Sequence, residues 1–183
     1  MAHTRPARVL FPVVVVLVML LAACGGTTAA EEHFRQGNEY AQAQEFEQAI
    51  AEFEAALNND PKHTSARVNL GVAYYQVGRL DEAIEQYEAA IELEPEDADI
   101  HSNLAAAYVQ QEKLDKALEQ YQIAVELNPD LAEAYFGLGV VHIQMGKIEE
   151  AIQVIERFQE LDTGKDPTAT ELAKQYLQQL KGP

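Results

Sequence analysis

The chain opens on an apolar run, Val9 to Leu21, and then changes character. From about residue 30 the apolar positions recur in the stripes that amphipathic helices bury, with polar faces between them. The stripes come in pairs, here called helices A and B. Gly78 and Gly146 fall in the short turns between partners, where a left-handed C-cap suits glycine. Pro61, Pro95 and Pro129 stand 34 residues apart, just after helix B, where a missing amide donor matters little and helix continuation is blocked.

A fixed period calls for a repeat frame. Frames 30–63, 64–97, 98–131 and 132–165 align without a gap. Their eighth places hold Gly37, Gly71, Ala105 and Gly139, and their eleventh Tyr40, Tyr74, Tyr108 and His142. The twentieth hold Ala49, Ala83, Ala117 and Ala151, and the twenty-fourth Phe53, Tyr87, Tyr121 and Ile155. Small residues at the eighth and twentieth places let A and B approach, and the large ones fill the space between neighbouring pairs.

This pattern, with Asn69-Leu70-Gly71-Val72-Ala73-Tyr74 and Leu80-Asp81-Glu82-Ala83 as its clearest segments, resembles the tetratricopeptide repeat. The resemblance implies an all-α fold: a right-handed superhelical solenoid of helix-turn-helix repeats, four repeats plus a C-terminal capping helix. One frame cannot bury its apolar faces alone, so stability comes from stacking. Departures fall at the ends. Gln36 replaces leucine in the first frame, and His142, Ile155, Phe158 and Thr163 replace the usual residues in the fourth. After it, Asp166-Pro167-Thr168 reads as an N-cap and first turn. Ala169, Leu172, Ala173, Tyr176, Leu177 and Leu180 would then share one face of a helix within 166–183 that closes the array.

The apolar run at the N-terminus follows Arg5 and Arg8 and precedes small residues, the layout of a secretory signal peptide. As a helix it would rise only about 20 Å, short of a hydrocarbon core of about 30 Å. Leu21-Ala22-Ala23-Cys24 resembles the lipobox of bacterial lipoproteins. That resemblance implies a signal peptide over 1–23, cleavage between Ala23 and Cys24, lipid on Cys24, and a short tether over 24–29. Two or three acyl chains anchor stably where one is marginal. Cys24 is the sole cysteine, so an intramolecular disulfide or a cysteine-based zinc site is closed. The expected localisation is a membrane-anchored lipoprotein on the extracytoplasmic face of the cell envelope.

Net charge is −17, and loss of Arg5 and Arg8 with the signal peptide makes the mature chain more acidic still. Such a surface repels phosphate backbones, so no nucleic acid partner is expected. Ser65 and Ser102 are the only serines, and neither lies in a nucleophile motif. His33, His63, His101 and His142 are too scattered to pair on one helix face as metal ligands. No phosphate-binding glycine loop is present. The expectation is a protein that is not an enzyme, with no catalytic residues, cofactor, metal or small-molecule substrate.

In tetratricopeptide domains the second, fifth, sixth, ninth, twelfth and thirteenth places of helix A usually line a concave groove for extended peptides or partner helices. Carried onto this chain, the resemblance offers as groove candidates Phe34, Asn38, Gln42, Asn69, Tyr75, Gln76, Asn103, Gln110, Phe136 and Gln144. Glutamine holds the thirteenth place of every frame. A side-chain amide can both donate to and accept from a peptide backbone, while glutamine is equally a good helix former copied with the repeat. Tyr75 and Phe136 suit either a groove or packing against a neighbouring helix. Carboxylate-clamp domains of this family use inner cations, and here those places hold Phe34, Asp99 and Asn103, so a clamp is disfavoured. The functional expectation is a scaffold or adaptor for a protein or peptide ligand. The alternative is a regulatory or delivery subunit for an extracytoplasmic protease or peptidoglycan hydrolase.

Overall fold

A computed structural model describes residues 29–164 and 166–182. The signal peptide, the Ala23–Cys24 cleavage point, the lipidated Cys24 and most of the tether therefore lie outside the described residues. Ala29, the tether's last residue, is already helical.

Nine helices and no strand occur among the described residues. The A helices are α1 (29–42), α3 (Thr64–Gln76), α5 (Ala98–Gln110) and α7 (Ala132–Gln144). The B helices are α2 (Phe46–Asn59), α4 (Leu80–Leu93), α6 (Leu114–Leu127) and α8 (Ile148–Leu161). A ninth helix, α9, runs Pro167–Lys181. Gln42, Gln76, Gln110 and Gln144 are each the last residue of their helix A. The fold is the all-α array of helical hairpins that the repeat frame implies.

Every A-to-B turn closes in the same way. Gly78 N–H donates to Tyr75 O at 3.1 Å and Arg79 N–H to Tyr74 O at 2.9 Å, and the same pair of bonds recurs around Gln44, Glu112 and Gly146. This is a Schellman cap, which needs its C′ residue in the left-handed region. Glycine fills that place at Gly78 (φ 78°) and Gly146 (φ 72°), but Gln44 (φ 62°) and Glu112 (φ 57°) hold it in the other two frames. The turn geometry survives without the glycine that announces it in sequence.

Helix starts are more varied. Asp97 caps α5 by accepting from the Asp99 and Ile100 amides, and Asp166 caps α9 by accepting from Thr168 and Ala169 with Pro167 at the first turn. His63 does the same for α3, its Nδ1 accepting from the Ala66 amide at 3.3 Å.

The residues form two compact units, one ending at Ala66 and one beginning at Arg67, so the division falls within α3. In the first, Phe53 is fully buried on α2 and its ring lies over Gly37, where a Cβ would sit 2.5 Å from Cε1. His33 Nδ1 meets Glu52 Oε2 at 2.7 Å, joining helix A to helix B. Tyr40 is 37% exposed, whereas its counterparts Tyr74 and Tyr108 are buried.

In the second unit successive helices pack on one another from α4 to α9, and α5 also touches α7, the next helix A. Tyr87 lies over Gly71 and Ile155 over Gly139, as Phe53 does over Gly37. The third frame breaks this rule. Ala105 holds the small place, and the Tyr121 ring instead crowds Gly137 of α7, where a Cβ would come within 2.2 Å of its Cζ. The polar link between the fourth and twenty-third places recurs as Arg67–Gln86 at 3.1 Å and His101–Gln120 at 2.8 Å. Tyr108 Oη donates to Glu88 on the preceding helix B at 2.8 Å, and burial together with that carboxylate pushes its pKa up to about 12.

Helix α9 closes the end of the array. Its Ala173 and Leu177 are buried with Ile155 and Phe158 of α8, flanked by Ala169, Tyr176 and Leu180. Leu172 departs from the expected face: it is 36% exposed, because the packed stripe runs through Ala169, Ala173, Tyr176, Leu177 and Leu180, and Leu172 lies at its edge. His142 does occupy a packing place, yet its buried Nδ1 has no hydrogen-bond partner among the described residues.

Candidate functional site

Along one side of each A helix runs a row of half-buried residues. In α5, Ser102, Asn103, Ala106 and Val109 are half-buried and Gln110 is exposed; in α7, Phe136, Gly137, Val140 and Ile143 are half-buried and Gln144 is exposed. The same sequence of exposure runs along α3 through Val68, Asn69, Val72, Tyr75 and Gln76. Half-burial in a repeated row leaves part of each side chain packed and part available to a partner. In the first unit α1 follows the pattern at Phe34, Asn38, Ala41 and Gln42, with Arg35 exposed.

Two of the expected residues are joined directly. Gln110 Nε2 at the end of α5 donates to Tyr75 Oη on α3 at 3.2 Å. An exposed amide and a phenol held together leave the Gln110 carbonyl as an acceptor beside a ring face, a pairing suited to a peptide amide passing over it. Tyr75 also lies near the buried phenols of Tyr87 and Tyr121, whose pKa values are pushed up chiefly by burial and secondarily by Tyr75. Asn69 and Asn103 sit one turn or more before these groups, half-buried, while Gln76 and Gln144 end their helices in solvent.

The two phenylalanines are anchored inward. Phe34 stacks against His63 (centroids 4.6 Å apart, tilted 46°) and against Phe53 at 6.0 Å. Phe136 packs on Phe158 of α8 at 5.2 Å and 51°. So half-buried Phe136 packs into the closure by α8 and α9, its ring partner standing on a helix B.

That closure creates a feature that no motif in the sequence announces. A cavity of about 340 Å³ lies between α7, α8 and the start of α9. Phe136, Phe158, Leu161 and Ala169 give it apolar walls, and Asp130, Glu133, Asp162 and Asp166 contribute carboxylates. Asp162 accepts from Thr170 Oγ1 and from the Gly164 amide, and these bonds hold its pKa below the usual carboxylate range. Asp130 lies 3.4 Å from an Arg157 nitrogen. Further along the face, burial above all, then Asp97 and Glu133, raises the Asp99 carboxyl. Among the described residues no group of three or more histidines, cysteines or carboxylates is close enough to hold a metal ion.

Comparison with known families matches a TPR repeat model at residues 37–78, 73–112 and 107–146 and a tetratricopeptide repeat model at residues 132–164. No curated relative matches. Among solved structures, pilF of Pseudomonas aeruginosa is 24% identical, with 87% of this chain and 79% of that one covered at a TM-score of 0.71, a likeness of fold. YrrB, described as a TPR protein with an unusual peptide-binding site, is 27% identical over 84% of each chain at a TM-score of 0.63. The first TPR of Spaghetti, bound to the HSP90 peptide SRMEEVD, is 28% identical, covering 65% of this chain and 96% of that one at 0.60.

Proposed function

We propose, from the premise that the chain belongs to the tetratricopeptide repeat family, that it is a protein-interaction scaffold tethered to the outer side of a membrane through lipid on Cys24. Repeats of this family are in general interaction modules rather than enzymes. The observation that carries the reading is the repeated row of half-buried residues on α3, α5 and α7, with Tyr75 and Gln110 joined across it. Two structural neighbours, YrrB and Spaghetti, are described with a peptide-binding site or a bound peptide, which supports an extended peptide or partner helix as the ligand here.

Support for the anchor comes from the sequence alone: the layout around Arg5, Arg8 and Val9–Leu21, and the lipobox ending in Cys24. No helix among the described residues is long and apolar enough to cross a membrane.

The test places a photo-reactive residue at Val109, on the face, and at Glu119, exposed on α6, in the full chain in its own cells. A discrete protein adduct at Val109 that is absent at Glu119 is expected. Identical adducts at both positions would sink the reading. Tyr75→Ala with Gln110→Ala should reduce the Val109 adduct about tenfold, as loss of one or two net hydrogen bonds and an aromatic contact does, with the helical circular dichroism unchanged. Cys24→Ala should move the protein out of the membrane fraction; unchanged fractionation would defeat the anchor. Where the adduct contains a protease or peptidoglycan hydrolase, a changed turnover on adding the purified chain identifies regulation rather than scaffolding.

A further inference from the structure

Resting on that reading of the A-helix face, we propose that the cavity bounded by α7, α8 and α9 is a specificity pocket for an arginine side chain of the bound partner. Its chemistry is divided as an arginine's is. The Phe136 and Phe158 rings, 5.2 Å apart, make a floor for the methylene stem and the guanidinium face. Exposed Glu133 stands beside that floor as the principal acceptor, and Asp162 and Asp166, which already accept from Gly164 and Thr170 and from Thr168 and Ala169, add negative charge and their remaining lone pairs. At about 340 Å³ the cavity admits a whole side chain rather than a bare ion. The carboxylates do not converge on one point as metal ligands must, but a guanidinium carries five donors in a planar fork and can engage acceptors that stand apart.

The pocket is continuous with the face. Glu133 and Phe136 occupy the second and fifth places of α7, on the same side of the helix as Val140 and Gln144, so a peptide lying on α5 and α7 reaches it without leaving the surface. Electrostatics select the sign of the occupant. Asp99, on the neighbouring α5, is already penalised by burial and by the negative charges of Asp97 and Glu133, so an incoming cation relieves an existing repulsion. With a net charge of −17, a second copy of the chain or an anionic headgroup meets the opposite effect.

The experiment uses the full chain in detergent micelles, isotope-labelled, titrated with acetyl-Ala-Ala-Arg-Ala-Ala-amide and with the same peptide carrying citrulline, which keeps the stem and head shape but not the charge. The arginine peptide should bind about tenfold more tightly, as a charge-assisted hydrogen bond does relative to a neutral one, and should shift the amide signals of Glu133, Phe136, Asp162 and Ala169. Glu133→Gln, an isosteric change at an exposed carboxylate, should remove most of that preference, and the exposed control Glu126→Gln should not. Phe136→Leu, which retains apolar bulk, should weaken both peptides.

Equal affinity for arginine and citrulline peptides, or equal loss in Glu133→Gln and Glu126→Gln, overturns the pocket. If the two peptides bind equally while shifting Asn103 and Gln110, the pocket falls and the face reading stands. If no peptide binds and the Val109 cross-link is also absent, both fall.

Discussion

His142 shows what a single exchange inside a repeat does. The eleventh place holds tyrosine in the other frames, and at Tyr108 the hydroxyl reaches Glu88 on the preceding helix B. Imidazole is shorter, so it fills the core but leaves Nδ1 buried and, among the described residues, unpaired. Burial, and then Lys147, lower its pKa, with Glu150 acting weakly the other way. A base whose folded pKa lies below its unfolded value makes the unfolded state the better proton binder, so stability falls as pH drops below about 6.5. Unfolding midpoints in urea at pH 7.5 and 5.5 should fall less for His142→Tyr than for the natural chain. Equal falls would show that His142 does not contribute. The sequence shows that the residue is atypical for its place; which ring nitrogen is left without a partner depends on the surrounding helices, which are known only from the fold.

At the scale of elements, the turn between A and B is set by backbone geometry and only partly by residue type. Two of the four turns can be read from Gly78 and Gly146, while Gln44 and Glu112 give no local signal and are found only by counting along the frame. A residue with a Cβ costs roughly 1–2 kcal/mol in the left-handed region, and glycine's freedom in the unfolded chain returns about half of that. Glu112→Gly should therefore stabilise the chain by about 0.5–1 kcal/mol, and Gly78→Glu should destabilise it by a similar amount, both read from thermal or urea unfolding. No change in either variant would show that the flanking helices alone set the stability of the turn. Helix α9 shows where helical periodicity falls short. The stripe Ala169, Ala173, Tyr176, Leu177 and Leu180 packs as its spacing implies, and burying a residue such as Leu177 contributes about 1.5–3 kcal/mol. Leu172 belongs to the same stripe by spacing but sits beyond the edge of α8's cover. Phe136 is legible in the sequence as an aromatic on the A-helix face, and its contact with Phe158 is not, because the partner stands 22 residues on and only the turn after α7 brings them together. The cavity beside them draws on residues from Asp130 to Ala169, so no local window of sequence contains it.

At the scale of the whole molecule, charge is the dominant unpaired quantity. Thirty acidic residues face thirteen basic ones, and the ion pairs found, such as Arg79–Glu82 and Lys181–Glu156, lie in solvent where each adds little. Like charge on a compact chain favours expansion, and salt screens it, the Debye length falling from about 30 Å at 0.01 M to about 10 Å at 0.1 M. Melting temperature should rise between those salt concentrations, by about 2–4 °C for each kcal/mol of repulsion screened. A flat or falling melting temperature would show that the repulsion is local. The arginine preference of the α7 cavity should move the opposite way, weakening with salt.

The 34-residue period suggests parts that could be duplicated or reordered at will, and the third frame shows why they cannot. With Ala105 in the small place, Tyr121 leans over the sixth place of the frame that follows, which only Gly137 leaves empty; the sixth places of the earlier frames hold Arg35, Asn69 and Asn103. Copied in front of any of those, the third frame would drive a ring into a side chain. The array is thus ordered, and the third hairpin fits the fourth as it fits no other.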